Sequence, residues 1–495
     1  MHHAETRAHA ELLAPLEADT TLEGAHPLLA MVADYFERTR SGAGPVSTVR
    51  TVDEVLARLP RVPSTTGAPL AVVAERLLRD LVGDANQLAH PMYMGHQVSA
   101  PLPAAVWTES LIAALNNGMA VREMSPTFTP LERQLARWAC DLVGWGATAG
   151  GTMTSGGTEA TFTALLAARS AAIPDVWANG VGAEPPVVVY GAHAHYAVTR
   201  AVGELGLGLR SAIAVPVRQH RMDVDALAHT LGELKASGRR VMAVVATSGC
   251  TPTGSFDDLR AIGALCTRDG LWLHVDAAHG GGALLSPVHR ARLAGIEAAR
   301  TVAWDPHKML LLPLSAGMVL ARDERDLDQA FAQSAPYLFR PGAETDGRRF
   351  DAGVRTFTCS RRADVLKLWV ALERYGTDTL AALHDHLCAL AQRLAEQLGQ
   401  RNDFEALHAP ESNILCFRYI GGLLAVAEPT TVDAFNDALR ERWNASGAGW
   451  ITATTLDGRR VLRTTMMNPR TQPHHVDRLV TGLAALGELM LREQA

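Results

Sequence analysis

A lysine and an aspartate are the two residues of this chain whose types and spacing best suit covalent chemistry. Lys308 lies in the segment TVAWDPHKMLLLP (301–313), and Asp276 ends the apolar run in LWLHVDAAHGGG (271–282). An unprotonated lysine amine can bond to a carbonyl carbon. A carboxylate held at a strand end can keep a ring nitrogen protonated, so that the ring accepts electrons. Together they indicate a site for pyridoxal 5'-phosphate (PLP), with Lys308 forming the Schiff base.

The surroundings of Lys308 favour this interpretation over a solvated surface charge. Trp304, Met309 and the leucines at 310–312 are expected to bury the stem of the lysine. Burial disfavours the charged form of an amine and lowers its pKa. We therefore expect the pKa of Lys308 to be low.

Three further segments place polar groups directly after predicted strands. Residues 155–158 (SGGT) lie between a strand and a helix start, where backbone N–H groups and the helix dipole attract phosphate, although a simple helix cap is the alternative. His195, in YGAHAHYAV, can stack on a flat ring or cap a helix. Thr251, in ATSGCTPTG, offers a hydroxyl that could equally belong to an ordinary turn.

Length and composition limit the classes of function. The chain has 495 residues, 47% hydrophobic and 20% charged, with a formal net charge of −6, which allows two or three domains with large cores. Acidic and basic residues are mixed throughout, so neither nucleic acid nor a membrane surface is an expected partner. The first twenty residues carry acidic side chains and no apolar segment. This predicts neither a signal peptide nor a membrane anchor and favours the cytoplasm.

The cysteines and histidines give no strong metal signal. The six cysteines are scattered, with no C-x-x-C pair and none placed near a histidine pair at ligand spacing, which predicts reduced thiols. His474 and His475 lie beside Asp477 at an expected exposed helix start, where metal binding is the less favoured interpretation. No metal site is predicted.

The pattern of apolar residues divides the chain into three stretches. Residues 1–90 contain short amphipathic helices, which predicts a helical arm packed on the rest of the chain or on a second subunit. Residues 91–375 alternate short apolar runs with helices, as in an α/β domain whose mostly parallel sheet is covered on both faces. Residues 376–495 predict a small α+β domain. Asp276 and Lys308 both follow strands, where such sheets bind ligands.

The chemistry-bearing segments occur in one order along the chain: SGGT, HAHY, ATSGCT, HVDAA and DPHK. This order resembles the PLP-dependent group II amino-acid decarboxylases, which include glutamate, cysteine sulfinate, aromatic L-amino-acid and diaminobutyrate decarboxylases. The resemblance runs from about His90 to the C-terminus. It implies the PLP-dependent transferase fold type I, with a large seven-stranded-type sheet, and a homodimer with active sites at the subunit interface.

The resemblance also implies contacts to the cofactor. Asp276 would pair with the pyridine nitrogen, and His195 and Ala278 would cover the two faces of the ring. His307 would contact the phosphate beside residues 155–158. The implied cofactor-binding residues are Ser155, Gly156, Gly157, Thr158, His195, Thr251, Asp276, Ala278, His307 and Lys308.

Two more residues match functional positions of the family, and one departs from its pattern. Residues 335–353 look like the family's mobile catalytic loop, whose tyrosine matches Tyr337, the candidate proton donor to Cα. Arg463 matches an arginine expected to grip the substrate carboxylate. His279 stands where relatives usually have an aromatic residue, which questions the local packing around the ring.

The segment HPMYMGHQVSAPLPAAVW (90–107) corresponds to the substrate pocket of relatives. His96, Gln97 and Ser99 resemble the polar pattern of the relatives with acidic substrates, and residues 123–132 resemble the glutamate and cysteine sulfinate branch. An acidic or small polar L-amino acid is therefore the expected substrate. Met92–Met94 could instead line an apolar pocket, so aliphatic, basic (diaminobutyrate-like) and aromatic substrates remain alternatives.

Two other functions are compatible with the same scaffold. The first is a different PLP reaction, either transamination or an oxygen-consuming conversion of the amino acid to an aldehyde. Relatives with the oxidative route replace the loop tyrosine by phenylalanine, so Tyr337 favours decarboxylation to the amine. The second is a catalytically silent dimer that binds PLP, which the joint presence of Lys308, Asp276, His195 and Tyr337 disfavours.

Overall fold

The computed structural model describes residue 11 and residues 13–59, 61–331 and 350–494. The helices of more than three residues whose bounds are described there, excluding 3-10 turns, are α1 Leu22–Ser41, α2 Val52–Leu56, α3 Leu70–Asp80, α4 Pro103–Leu115, α5 Phe128–Val143, α6 Gly157–Ala172, α7 Val176–Asn179, α8 Ala197–Glu204, α9 Val224–Ala236, α10 Leu259–Asp269, α11 Arg325–Asp328, α12 Val365–Gly399, α13 Pro429–Ala445 and α14 Pro473–Gln494. The strands are β1 Gly150–Thr154, β2 Val187–Gly191, β3 Ala212–Val215, β4 Val217–Arg218, β5 Arg221–Met222, β6 Val241–Thr247, β7 Trp272–Asp276, β8 Thr301–Trp304, β9 Gly317–Ala321, β10 Phe404–Ala406, β11 Ile414–Tyr419, β12 Thr452–Leu456 and β13 Arg459–Thr465.

Seven strands form the large sheet, in the order β1-β9-β8-β7-β6-β2-β3. The pairs from β8 through β7, β6 and β2 to β3 are parallel, whereas β9 runs antiparallel to both β8 and β1. The mostly parallel sheet expected from the alternation of apolar runs and helices is thus present. Its register sets Thr247 of β6 beside Asp276 of β7, and Asp276 beside Ala303 of β8. The carboxyl ends of three neighbouring strands therefore meet at one edge.

Both faces of this sheet are buried, which explains why its strands are apolar without alternation. In β6, Val244 and Ala246 belong to one hydrophobic cluster, and Ala243 and Val245 belong to another. Successive side chains of a strand point to opposite faces, so the two clusters lie on opposite sides of the sheet.

The C-terminal part contains a four-stranded antiparallel sheet in the order β10-β11-β13-β12. Helix α12 reaches this part from the large sheet and packs against both α4 and α14. Gly376 interrupts α12 with φ 73° and ψ 162°, a left-handed φ that favours glycine. The predicted division between residues 91–375 and 376–495 falls beside this break and remains a prediction. In the described part of the chain, no helix is both long and apolar enough to cross a membrane.

Candidate active site

The turn from β1 into α6 provides a cradle of backbone N–H groups. Helix α6 starts without a side-chain cap, so the N–H groups of its first turn are available to an anion. Positions 156 and 157 require glycine because neighbouring segments lie too close to leave room for a side chain. A Cβ at Gly156 would lie 3.0 Å from Cε1 of His307, and one at Gly157 would lie 2.7 Å from Cβ of Ala278. The cradle therefore fits a phosphate group closely against the segments that carry Ala278 and His307.

Lys308 follows β8 in a tight turn, and its amine pairs with a carboxylate of the same turn. Nζ of Lys308 lies 2.9 Å from Oδ2 of Asp305, and Nε2 of His307 lies 3.4 Å from the same oxygen. Nδ1 of His307 accepts from the backbone N–H of Ala316, so Nε2 carries the proton that faces Asp305. The turn thus brings an amine, an imidazole and a carboxylate together.

Charge pairing dominates the ionisation of this turn. Burial raises the pKa of Asp305, but the charge of Lys308 and the neighbouring His307 outweigh it and lower the pKa to about 2. Burial likewise lowers the pKa of Lys308, but the carboxylates of Asp305 and Asp276 outweigh it and raise that pKa. The expectation of a low pKa for Lys308 is therefore wrong, because it left out these two carboxylates.

The apolar neighbours of Lys308 are nevertheless placed as predicted. Trp304, Met309 and the leucines at 310–312 are all buried in the main core. The sequence argument counted this desolvation and missed the carboxylate of Asp305, three residues before the lysine. Its position in the same turn of the chain is the signal that could have revealed it.

Asp276 and His195 approach the same space from β7 and β2, the two strands that flank β6. Asp276 ends β7, is 7% exposed, and accepts a hydrogen bond from the backbone N–H of Ala278. His195 follows β2, and its Nδ1 accepts from the backbone N–H of Ala197, which leaves Nε2 as the donor. Burial lowers the pKa of His195, an effect that Asp276 partly offsets. Its imidazole is therefore predominantly neutral at pH 7.

These segments enclose a cavity of about 280 Å³ at the carboxyl edge of the large sheet. All ten residues predicted to bind the cofactor line it, and so do four that were not predicted as cofactor contacts. The lining residues are Ser155, Gly156, Gly157, Thr158, His195, Thr247, Gly249, Thr251, Asp276, Ala278, His279, Asp305, His307 and Lys308. Oγ1 of Thr247 and Oδ1 of Asp305 are buried without a hydrogen-bond partner. Buried polar atoms normally have partners, so these two fit a polar ligand in the cavity.

His279 joins the cavity to the C-terminal sheet. Its Nε2 lies 2.7 Å from Oδ1 of Asn413, whose amide donates to the backbone carbonyl of Met466. Complete burial, reinforced by the charge of Lys308, lowers the pKa of His279 to about 3, so the ring is neutral. The departure from an aromatic residue thus introduces a neutral ring with a polar link to the C-terminal sheet.

The four residues predicted to bind substrate lie outside this cavity lining. Arg463, on β13, is 7% exposed; its Nε donates to the backbone carbonyl of Pro252, and its Nη2 has no hydrogen-bond partner. His96 is exposed, and the amide nitrogen of Gln97 is buried without a partner. The prediction that they contact substrate remains untested.

Ser99 has a different environment from the other three. Its buried hydroxyl bonds to the backbone carbonyls of His307, at 3.1 Å, and Leu312, at 3.2 Å. The hydroxyl therefore supports the turn that carries Lys308, which leaves it poorly placed to bind substrate. Tyr337 lies within 332–349, outside the described residues.

Known proteins share this sequence and architecture. The pyridoxal-dependent decarboxylase conserved domain matches residues 75–420. L-2,4-diaminobutyrate decarboxylase of Rhizobium meliloti (strain 1021) is 33% identical over 431 residues, covering 87% of this chain and 83% of the relative. Cysteine sulfinic acid decarboxylase of Rattus norvegicus is 34% identical over 352 residues, covering 70% of this chain and 71% of the relative.

Solved structures agree with the sequence comparisons. The crystal structure of mouse CSAD superimposes with a TM-score of 0.88 at 29% identity, covering 94% of this chain and 98% of that one. Oryza sativa TDC with PLP and tryptamine, 24% identical, shares the fold with a TM-score of 0.87, covering 94% and 97% of the two chains. The predicted family, fold type I and PLP are confirmed. The chain belongs to the pyridoxal-dependent decarboxylase family and is a PLP-dependent amino-acid carboxy-lyase.

Proposed function

We propose that this enzyme converts an L-amino acid with an acidic or small polar side chain into the corresponding amine and carbon dioxide. The observation that carries the use of PLP is the convergence of the ten predicted cofactor residues on one cavity, and the reaction type is supported by the match to the pyridoxal-dependent decarboxylase domain. The substrate class rests on the polar residues predicted for the pocket. The curated relatives include both diaminobutyrate and cysteine sulfinic acid decarboxylases, so a basic substrate is the main competitor.

Lys308 and the cradle at the start of α6 would hold the cofactor from two ends. The amine of Lys308 would bond to its aldehyde carbon, whose oxygen would leave as water, and this requires loss of the ammonium proton that Asp305 stabilises at 2.9 Å. The N–H groups of the α6 first turn and Nε2–H of His307 would receive the phosphate. Asp305 is then the nearest acceptor for the proton that leaves Lys308.

Asp276 and His195 would fix the cofactor ring between these ends. The carboxylate of Asp276 is anchored by the Ala278 N–H at 3.1 Å, so its second oxygen is free to accept from a protonated ring nitrogen. When bound, PLP supplies the electron-accepting ring that takes up the electrons of the broken Cα–carboxylate bond. The neutral imidazole of His195 can lie against that ring without opposing its positive charge.

Arg463 is the proposed partner of the substrate carboxylate. Its buried Nη2 lacks a partner, while its Nε donates to the carbonyl of Pro252, so the guanidinium is oriented and keeps donors for a ligand. A carboxylate would complete it with a charge-assisted hydrogen bond. The unpartnered amide nitrogen of Gln97 could donate to a polar substrate side chain. Holding the carboxylate in place lets the enzyme choose which bond at Cα breaks.

Tyr337 is proposed as the acid that returns a proton to Cα. This role rests on its match to the family's loop tyrosine. In this proposal the loop excludes water while the phenol donates, and amine release follows. Replacement by phenylalanine should divert part of the product to aldehyde and ammonia in air.

We also propose a homodimer located in the cytoplasm. The N-terminal helices leave large apolar side chains exposed, including Leu22 at 82%, Val52 at 74% and Leu56 at 59%, and this supports burial against a second subunit. All six cysteines are free, which supports a reducing compartment. The molar mass in solution, measured by light scattering, tests the dimer.

The proposed reaction is tested by incubating the PLP-loaded enzyme with single L-amino acids and following carbon dioxide release. Glutamate, aspartate, cysteine sulfinate, diaminobutyrate, leucine, methionine, tyrosine and tryptophan form the panel. We expect the highest kcat/KM with an acidic or small polar member, and amine as the product. Preference for diaminobutyrate would assign the basic class. Preference for tyrosine, tryptophan or leucine would refute the proposed pocket, and aldehyde with ammonia would refute the product.

A further inference from the structure

Two histidines and a cysteine form a buried cluster behind the active-site turn. His289, His384 and Cys388 are all buried, and one potential ligand atom from each lies within 4.8 Å of the others. His384 and Cys388 are one helical turn apart on α12, so their side chains share a face. The expectation that no cysteine lies near a histidine pair at ligand spacing is therefore wrong. It overlooked the segment HDHLC at 384–388, in which Cys388 follows His384 by four positions.

From this arrangement we infer that His289, His384 and Cys388 bind one transition-metal ion of borderline-soft character, with Zn²⁺ as the reference ion. Imidazole nitrogen and thiolate sulfur are ligands that zinc prefers, and three protein ligands leave one position for water or a carboxylate. Sγ of Cys388 lies 4.0 Å from Nδ1 of His384. Tetrahedral zinc sets such atoms about 3.5 Å apart, so small side-chain movements would close the site.

Asp385 stands at the edge of the cluster and can serve as fourth ligand or as an orienting group. Its Oδ1 lies 3.2 Å from Nδ1 of His384 and 3.9 Å from Nε2 of His289, and it also accepts from Oγ of Ser286. A quarter of its side chain is exposed, whereas the histidines are almost completely enclosed. The carboxylate therefore marks the side from which a cation can enter.

Metal binding at this cluster requires release of the thiol proton of Cys388, because the thiolate is the form that binds the ion. The proton passes to the buffer as the metal–sulfur bond forms. Asp385 and Arg292 act on the cluster with charges of opposite sign.

The position of the cluster links it to the cofactor cavity. His384 packs against Gly282, where an added Cβ would lie 3.2 Å from Cδ2 of His384 and 2.7 Å from Cβ of Met309. Met309 follows Lys308, and Gly282 follows the segment of Asp276 and His279. A bound ion would therefore tie α12 to the chain segment directly behind the active-site lysine.

Metal binding to the full-length, PLP-loaded protein tests the inference. After dialysis against a chelator, Zn²⁺ is titrated in competition with a chromophoric chelator, and Co²⁺ is added to a second sample. We expect one equivalent of Zn²⁺ per chain, a thiolate-to-cobalt absorption band and a higher melting temperature with Zn²⁺. Ca²⁺ and Mg²⁺, which prefer oxygen ligands, should give none of these changes.

Variants separate the cluster from other metal-binding groups. Cys388→Ser should abolish the thiolate band, and His384→Gln and His289→Gln should each weaken Zn²⁺ binding by at least about tenfold. The matched controls are Cys266→Ser, a buried thiol on α10, and His386→Gln, whose ring bonds to the Thr471 carbonyl.

These measurements give a decision even if a variant folds poorly. The wild-type protein alone overturns the inference if it takes up no stoichiometric Zn²⁺ and forms no thiolate band. Binding that survives unchanged in both Cys388→Ser and His384→Gln also overturns it, because the ion would then lie elsewhere. Loss confined to the cluster variants, with both controls intact, supports the site.

Discussion

The cofactor side of the active site is the cavity that contains Lys308, and the proposed substrate side comprises His96, Gln97 and Arg463. The two sides differ in how far the described residues form a complete binding site. On the cofactor side, ten predicted residues line one cavity, and the turn at Lys308 is held by internal partners. On the substrate side, Arg463 and Gln97 keep buried nitrogen atoms without partners, and His96 is exposed. Both sides contain buried polar atoms without partners, Oγ1 of Thr247 and Oδ1 of Asp305 on the cofactor side and nitrogen atoms of Arg463 and Gln97 on the proposed substrate side. The difference is that the predicted cofactor residues line one cavity, whereas the predicted substrate residues do not line it.

The difference follows from how each side is assembled. The cofactor side uses residues that directly follow strands, and parallel pairing brings the carboxyl ends of β6, β7 and β8 to one edge. The proposed substrate side combines His96 and Gln97 with Arg463 on β13, more than 360 positions later. The proposed Tyr337 and a second subunit would add to that side. A substrate pocket of this kind depends on long-range packing, whereas the cofactor cavity follows from local strand-to-turn order.

The largest effect is expected for Lys308→Ala, which should lower turnover by about four to six orders of magnitude. The variant removes the amine that bonds to the cofactor. Its visible absorption band should be lost, and carbon dioxide release should fall to background. Lys235→Ala, at an exposed position on α9, is the control and should behave as the wild type. Ordinary activity in Lys308→Ala would break the assignment of the cofactor side.

Asp276→Ala should lower kcat by a smaller amount while PLP remains bound. Losing a buried charge partner costs about 3–5 kcal/mol, or roughly a hundred- to several-thousand-fold in rate. The cradle at α6 does not involve this carboxylate, so cofactor content after dialysis should stay near one per chain. Asp276→Asn, which keeps the shape and loses the charge, should be similarly slow. Near-normal rates would mean that another group holds the ring nitrogen.

Arg463→Ala should separate the two sides of the site. Truncating a buried charged partner costs about 2–5 kcal/mol, which should reduce kcat/KM through loss of carboxylate binding. PLP affinity should not change, because Arg463 does not line the cofactor cavity. Arg460→Ala is the matched control, because Arg460 lies three positions before Arg463 on β13 and pairs with Asp437. Equal losses of PLP and of substrate binding would contradict the separation.

Much of the fold and of the cofactor side could be predicted from the sequence, because local pattern determines both. The apolar runs at 187–191, 241–247 and 272–276 became β2, β6 and β7, and the residues after them line the cavity. The short strand β3 and the helix α9 were missed. Three of the four residues of β3 are less than fully buried, so its pattern is weaker than that of the central strands.

The ionisation of the site was harder to predict than its location. Lys308 lines the cavity, but the direction of its pKa shift depends on Asp305 and Asp276 as well as on burial. Likewise, the sequence predicts Ser99 as a hydrogen-bond donor to substrate. In the structure its hydroxyl instead bonds to two backbone carbonyls more than 200 positions away in the chain. Such pairings arise only when distant segments pack, so residue type and spacing cannot specify them.

His279, which links the cofactor cavity to the C-terminal sheet, should contribute to loss of stability in acid. Its folded-state pKa of about 3 lies below the usual 6.5, so the unfolded chain binds more protons between these values. The free energy of unfolding therefore falls as the pH drops below 6.5, by about 1.4 kcal/mol per pH unit for this group. His279→Gln should flatten that slope by this amount between about pH 6 and pH 4 in urea unfolding.

The slope, not the absolute stability, is the measure for His279, because the substitution also changes packing beside Asn413. His229→Gln, at an exposed position on α9, is the control and should leave the slope unchanged. An unchanged slope in His279→Gln would show that the ring is not held neutral in the folded protein.

The smallest effect is expected for Ser99→Ala, and it tests whether this residue belongs to the substrate side at all. The hydroxyl bonds to the backbone carbonyls of His307 and Leu312, so its loss should cost about 0.5–1.5 kcal/mol of unfolding free energy. Since the hydroxyl faces the turn of Lys308, any loss of kcat should be similar for every substrate, and the ranking of kcat/KM across the amino-acid panel should not change. A changed ranking with unchanged stability would return Ser99 to the pocket and make the substrate side more complete than its geometry indicates.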